Sequence, residues 1–200
     1  MTGREKILKV AEDLFVEKGF IGTSMNEIAE RAGVAKSLIY HHFDSKKALW
    51  LEMIRNYHDK SGLLETFYDT IPDGDPDNFV ELLTGRNGFV ELLRNNPRMV
   101  RLFSWLNLEQ EFEPEYPEDE IKRKTLERIR ELQRDGFVRS DIEPGIIPII
   151  FLSIVMHWFS ARWSLAGWMG TGIPEEDVDD AYLGVAIDIL LRGIEPDAKA

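Results

Sequence analysis

SMNEIAERAGVAKSLIYHHF, running from Ser24 to Phe43, spells two short helices with a tight turn between them. Ser24 followed by Glu27 has the spacing of a capping box. The serine hydroxyl can accept the N–H three residues on, and the glutamate can reach back to the serine N–H. Ile28, Ala29 and Ala32 then recur at helical spacing. Gly33 stands where a left-handed residue ends a helix cheaply, and Val34 plugs the turn. A second helix is predicted from near Lys36 to near Phe43. Ile39 and Phe43, four apart, should pack inward with Ile28 and Val34. The opposite face carries Lys36, Ser37, Tyr40 and His41. An ammonium, a hydroxyl, a phenol and an imidazole on one side of a short helix suit the DNA major groove.

Outward from this stretch, Ile7, Leu8, Ala11, Leu14 and Phe15 form one apolar stripe on a helix predicted from about Thr2 to Lys18. Gly19 stops it, and Phe20 is expected to fold back. Asp44 and Ser45 are predicted to cap a helix that begins at Lys46. Leu49, Met53 and Tyr57 make one apolar row along it, and Trp50 with Ile54 makes another.

The pattern TSMNEIAERAGVAKSLIYHHFDSKKAL resembles the helix-turn-helix of tetracycline-repressor (TetR) family regulators. The likeness runs from near Ile7 to near Ile54. It rests on alanine-glycine-valine at the turn, tyrosine-x-x-phenylalanine closing the second helix, and a lysine pair opening the next. The resemblance implies that Tyr40 and Lys46 touch phosphates, that Ser37 and His41 face base edges, and that the helix from Lys46 is a coupling rod. Ser24, Lys36 and His42 complete the expected DNA-binding set. One position departs from the family pattern. Ala35 stands where Ser or Thr usually caps the recognition helix and touches a phosphate. Loss of such a cap costs about 0.5–2 kcal/mol.

Net charge is −12, an unusual balance for a DNA binder, but it is unevenly spread. Residues 1–60 hold 10 basic and 9 acidic side chains, whereas residues 61–200 hold 14 and 27. Phosphate contacts should therefore be local, from lysines, hydroxyls and helix N-termini, with weak non-specific binding. With 44% hydrophobic residues the chain can build a real core. It has no cysteine, which excludes disulfides and cysteine-ligated zinc and fits a cytoplasmic protein. Met1 to Lys9 is polar and charged, so no signal peptide is expected.

Further along, residues 61–71 continue a helical pattern. Pro72 to Asn78 breaks it as a turn, and a helix is predicted from Phe79 to about Asn95. Met99, Val100, Leu102, Phe103, Leu106 and Trp105 fall on the next helix. Glu109 to Glu120 reads as an acidic loop. Lys122 to Arg134 is the most basic segment. Three acid–base pairs at i,i+4 spacing (Glu118–Lys122, Asp119–Arg123, Glu120–Lys124) favour a solvated helix over a nucleic-acid patch, with Ile121, Leu126, Ile129 and Leu132 inside. From Pro144 to Ala161 run 18 residues without formal charge. That touches the length of a membrane span, about 18–20 residues, but Pro148, Ser153, His157 and Ser160 argue for a buried helix instead. After glycines around Gly167–Gly172, Pro174 opens a last helix. Val178, Ala181, Tyr182, Val185, Ala186 and Ile189 follow a strict three–four rhythm there, and are the expected dimer face.

Enzyme signatures are absent from the sequence: there is no G-x-G-x-x-G, P-loop, G-x-S-x-G or H-E-x-x-H. His41 and His42 are adjacent and point about 100° apart on a helix, which makes them poor co-ligands; no metal or cofactor is expected. His157 lies among Met156, Trp158 and Phe159, either as a core histidine or as the polar anchor of a cavity. Aromatic residues are plentiful in the C-terminal part, and Phe103, Trp105, Phe151, Val155, His157, Trp158 and Trp163 are the expected ligand-binding set. The chain is thus read as all-α, with about nine helices. Residues 1–47 should be the DNA-binding domain, with its helix-turn-helix at 24–43, and residues 48–200 a ligand-binding and dimerisation domain. The expected function is that of a cytoplasmic homodimeric repressor, not an enzyme. It would bind a palindromic operator in double-stranded DNA, and a small hydrophobic or aromatic effector would release it. No membrane partner is expected. The alternative is a carrier or enzyme that kept the fold without DNA affinity.

Overall fold

A computed structural model describes residues 2–61, 88–109, 118–170 and 172–196; of residues 57–61 and 118–121 it describes the backbone only. Nine α-helices occur among the described residues, and no strand: α1 Gly3–Lys18, α2 Met25–Ala32, α3 Lys36–His42, α4 Lys46–Ser61, α5 Phe89–Asn95, α6 Pro97–Glu109, α7 Glu118–Arg134, α8 Ile146–Leu165 and α9 Val178–Ile194. The expectations for residues 62–87 and 110–117, including the Pro72–Asn78 turn, lie outside the described residues, as do the side chains of Tyr57, Ile121 and the acidic members of the three pairs at the start of α7. The chain divides into two compact units, Met1–Leu64 with Asn96–Pro114, and Glu65–Asn95 with Glu115–Ala200.

In the first unit α1 packs against α2, α3, α4 and α6. It begins with a full capping box that the sequence reading overlooked. Thr2 Oγ1 accepts Glu5 N–H at 3.2 Å, and Glu5 Oε2 accepts Thr2 N–H at 2.8 Å. Ile7, Ala11, Leu14 and Phe15 are buried as the stripe requires, and Leu8 is half-buried. Phe15 meets Trp50 of α4 edge to face at 4.7 Å, and Phe20 meets the same indole at 5.7 Å. Leu49, Trp50, Met53 and Ile54 are all buried, so both apolar rows in the described part of α4 face this core. Each such side chain contributes about 1.5–3 kcal/mol through burial.

The second unit holds α5, α7, α8 and α9. Phe89 of α5 lies 6.1 Å from Phe151 of α8. Trp158 of α8 stacks on Tyr182 of α9 at 4.1 Å and 12° between planes, and its Nε1 donates to Asp179 at 2.9 Å. Asp179 also accepts from Arg162, and Arg94 of α5 donates to Asp180. Burial works against the charge on Arg94, but Asp180, Glu91 and Asp179 outweigh it and hold the guanidinium above its ordinary pKa. Ile129 and Leu132 of α7 form a separate cluster with Val138 and Ile147.

Two expectations need correction in this unit. His157 is not a core histidine, because it sits on the exposed side of α8. Trp163 is 85% exposed, and Trp168 just beyond the helix is 90% exposed. The basic helix α7 keeps Lys122, Arg123, Arg130 and Arg134 in solvent with Ile129 and Leu132 inside, as expected, and it also buries Thr125 and Arg128. Residues 146–169 are long and apolar enough to cross a bilayer, yet little of the stretch is buried within the chain. Ile146, Ile149, Ile150 and Leu152 stand exposed on α8, and Val185 and Ile189 on α9. Tyr182 turns inward onto Trp158, and Val178, Ala181 and Ala186 are half-buried.

Candidate nucleic-acid interface

α2 starts at Ser24, whose Oγ accepts Glu27 N–H at 3.1 Å. Only half of the expected capping box forms. The Glu27 carboxylate turns away to Lys18 Nζ at 2.5 Å, because an ammonium is a stronger partner than a backbone amide. Gly33 ends α2 at φ 60° and ψ 41°. Its N–H donates to Glu30 O at 3.0 Å, and Val34 N–H donates to Ala29 O at 3.0 Å. Those two bonds make a Schellman motif, which satisfies the last carbonyls and turns the chain into α3.

α3 is held from behind. Ile39 is fully buried and Phe43 nearly so, together with Ile28 of α2. The remaining side chains follow from the helical repeat. Lys36, Ser37, Tyr40 and His41 are exposed, and Leu38 and His42 are half-buried. Tyr40 is 47% exposed, and Lys36 Nζ stands 5.8 Å from the centre of its ring. A cation over the ring face steadies the side chain. His41 and His42 have ring centres 5.2 Å apart. Ala35 occupies the N-cap of α3 and provides no side-chain hydrogen bond, so the first N–H groups of that helix remain open to another acceptor.

Lys46 is placed differently from the expectation of a free phosphate ligand. Its Nζ donates to Phe20 O at 2.7 Å and to Thr23 O at 2.9 Å, and lies 4.1 Å from the centre of the Phe20 ring. The reason is the turn at Gly19–Thr23, which leaves carbonyls that need a donor. The other side of that turn is held by a residue the sequence reading missed. Glu109, the last residue of α6, accepts Phe20 N–H at 2.9 Å and Ile21 N–H at 3.0 Å. Gly19 has φ 74°, and a Cβ there would stand 2.8 Å from the Trp105 ring and collide with Glu109. Trp105 itself donates to Val16 O at 3.3 Å. It therefore belongs to the first unit, as does Phe103 on the same helix, whereas Phe151, Val155 and Trp158 are buried in the second.

A braced turn, a capped first helix and a short second helix with a polar outer face define a helix-turn-helix protein, a class built to present one helix to a DNA groove. Comparison with known proteins agrees. Residues 7–53 match the family profile of bacterial regulatory proteins, tetR family, and residues 87–171 match a tetracyclin repressor-like C-terminal domain. The transcriptional activator FasR of Mycolicibacterium smegmatis is 32% identical over 101 residues, which span 50% of this chain and 44% of FasR, less than half of that relative's length. The transcriptional repressor KstR2 of the same organism is 24% identical over 191 residues, 92% of this chain and 88% of KstR2. The crystal structure of NalD from Pseudomonas aeruginosa, a repressor of a multidrug efflux pump, superposes with a TM-score of 0.68 over 98% of this chain and 97% of NalD, at 22% identity. That likeness speaks for the fold. The chain belongs to the TetR family of bacterial regulatory proteins. Its relatives are regulators of transcription, not enzymes.

Proposed function

We propose that the protein is a ligand-responsive transcriptional repressor of the cytoplasm. It binds a palindromic operator as a homodimer and leaves it when a small hydrophobic or aromatic effector binds. The observation that carries this reading is α3, which buries Ile39 completely while Lys36, Ser37, Tyr40 and His41 face solvent together. In that arrangement Tyr40 and Lys36 suit phosphates, and Ser37 and His41 suit base edges. Ser24 lies at the exposed start of α2, and His42 is a flanking contact. The exposed apolar residues of α8 and α9 support self-association, since Ile149, Ile150, Val185 and Ile189 would otherwise face water. A two-fold pair presents its two α3 helices to major grooves about 34–36 Å apart, or a multiple of that.

The test is a gel-shift titration with the DNA upstream of the chain's own gene. The wild type retards it, and Tyr40→Ala abolishes the shift while keeping helicity and dimerisation. Undiminished binding by Tyr40→Ala would overturn the assigned face. A wild type that never shifts this DNA would favour a carrier that kept the fold.

A further inference from the structure

One face of α7 carries two buried polar side chains one turn apart, Thr125 and Arg128, beside buried Ile129 and Leu132. Arg128 is 5% exposed. Its Nη1 donates to Glu131 at 3.2 Å, but its buried Nη2 meets no hydrogen-bond acceptor among the described residues. The Glu131 side chain is itself 46% exposed, and its other oxygen lies 3.9 Å from Arg134. The carboxylate on the buried cation is therefore solvated and shared. A guanidinium taken out of water with incomplete pairing is expensive to keep, and a buried donor left open marks a place where a further acceptor belongs. The other basic side chains of the helix do not help it: Lys122, Arg123, Arg130 and Arg134 are exposed, and Arg123 pairs with Glu127.

We infer that Arg128 anchors an oxyanion, a carboxylate or phosphate group carried by the small-molecule effector. The open Nη2 donates to it, and Thr125 lies on the same face. This rests on the effector reading above and sharpens it: the effector is an acid, not a neutral hydrophobe. A guanidinium fits this task because its planar fork matches the two oxygens of such a group. A neutral ligand would leave the cation as poorly compensated as before.

Thermal unfolding of the full chain tests the inference. Wild type, Arg128→Met and Glu131→Gln are melted in sodium chloride, in sodium phosphate at the same ionic strength, and with decanoate or its uncharged counterpart decanol. At a tenfold excess over the dissociation constant, an oxyanion should raise the wild-type midpoint by about 3–6 °C. Decanol should do less. Response to phosphate alone assigns a phosphate-type group, and response to decanoate assigns an amphiphilic acid. Arg128→Met should keep its helical spectrum and lose the shift. Glu131→Gln removes the competing carboxylate and should show a larger shift than wild type. An anion response in Arg128→Met equal to that of wild type overturns the inference, as does a wild type that neither anion stabilises. If Arg128→Met fails to fold, a Glu131→Gln shift no larger than that of wild type overturns it instead. Operator retardation without added anion reports the regulator reading separately, so the two can fail independently.

Discussion

Lys46 shows how much a single side chain's role depends on what the chain brings near it. A lysine at a helix start opposes the local dipole, and the family resemblance implies a phosphate for this one. The fold resolves it otherwise, by giving the ammonium two carbonyls and an aromatic ring. Lys46→Met should therefore destabilise the first unit by about 1–3 kcal/mol, because Phe20 O and Thr23 O lose a charged donor. Urea unfolding would measure it; a variant as stable as wild type, yet weaker on DNA, would restore the phosphate role. Gly19 is the complementary case. Its backbone is left-handed, and Trp105 and Glu109 fill the space a side chain would need. Gly19→Ala should cost more than the usual strain of about 1–3 kcal/mol.

α3 was legible almost in full, because what shapes it is local: a glycine turn before it, and isoleucine and phenylalanine four apart. Its missing cap offers a clean measurement. Ala35→Ser supplies an acceptor to open N–H groups and should stabilise the protein by about 0.5–2 kcal/mol in chemical denaturation. No gain would mean that those amides are already satisfied by water. α6 was not legible in the same way. Glu109 lies 89 residues from Phe20 in sequence, and nothing in the local pattern says that an acidic helix end will close a distant turn. Glu109→Ala should expose the amides of Phe20 and Ile21, and hydrogen exchange at those two positions should speed up while exchange in α2 stays slow. α8 misled for a third reason. A helix apolar on nearly all sides carries no contrast from which to read its inner face, so His157 and Trp163 were given to an interior that the backbone does not point them toward.

For the molecule as a whole, acid is concentrated after residue 60, while the first 60 residues are near balance. Operator binding should accordingly weaken only modestly with salt, and a logarithmic slope steeper than about −10 would contradict a local set of phosphate contacts. The apolar residues left outward on α8 and α9 make a second prediction at this scale. On the proposed homodimer, Val185→Glu together with Ile189→Glu should give a soluble, helical monomer in light scattering, and that monomer should no longer bind the proposed palindrome. The five tryptophans also give the protein a built-in optical gauge. Trp50 and Trp158 are sealed inside, whereas Trp163 and Trp168 stand almost bare near the end of α8. Iodide should quench the bare pair and leave the sealed pair glowing, so their emission can be followed separately. If two copies meet near this end of α8, the quenchable fraction falls as concentration rises, and assembly can be watched with no label attached.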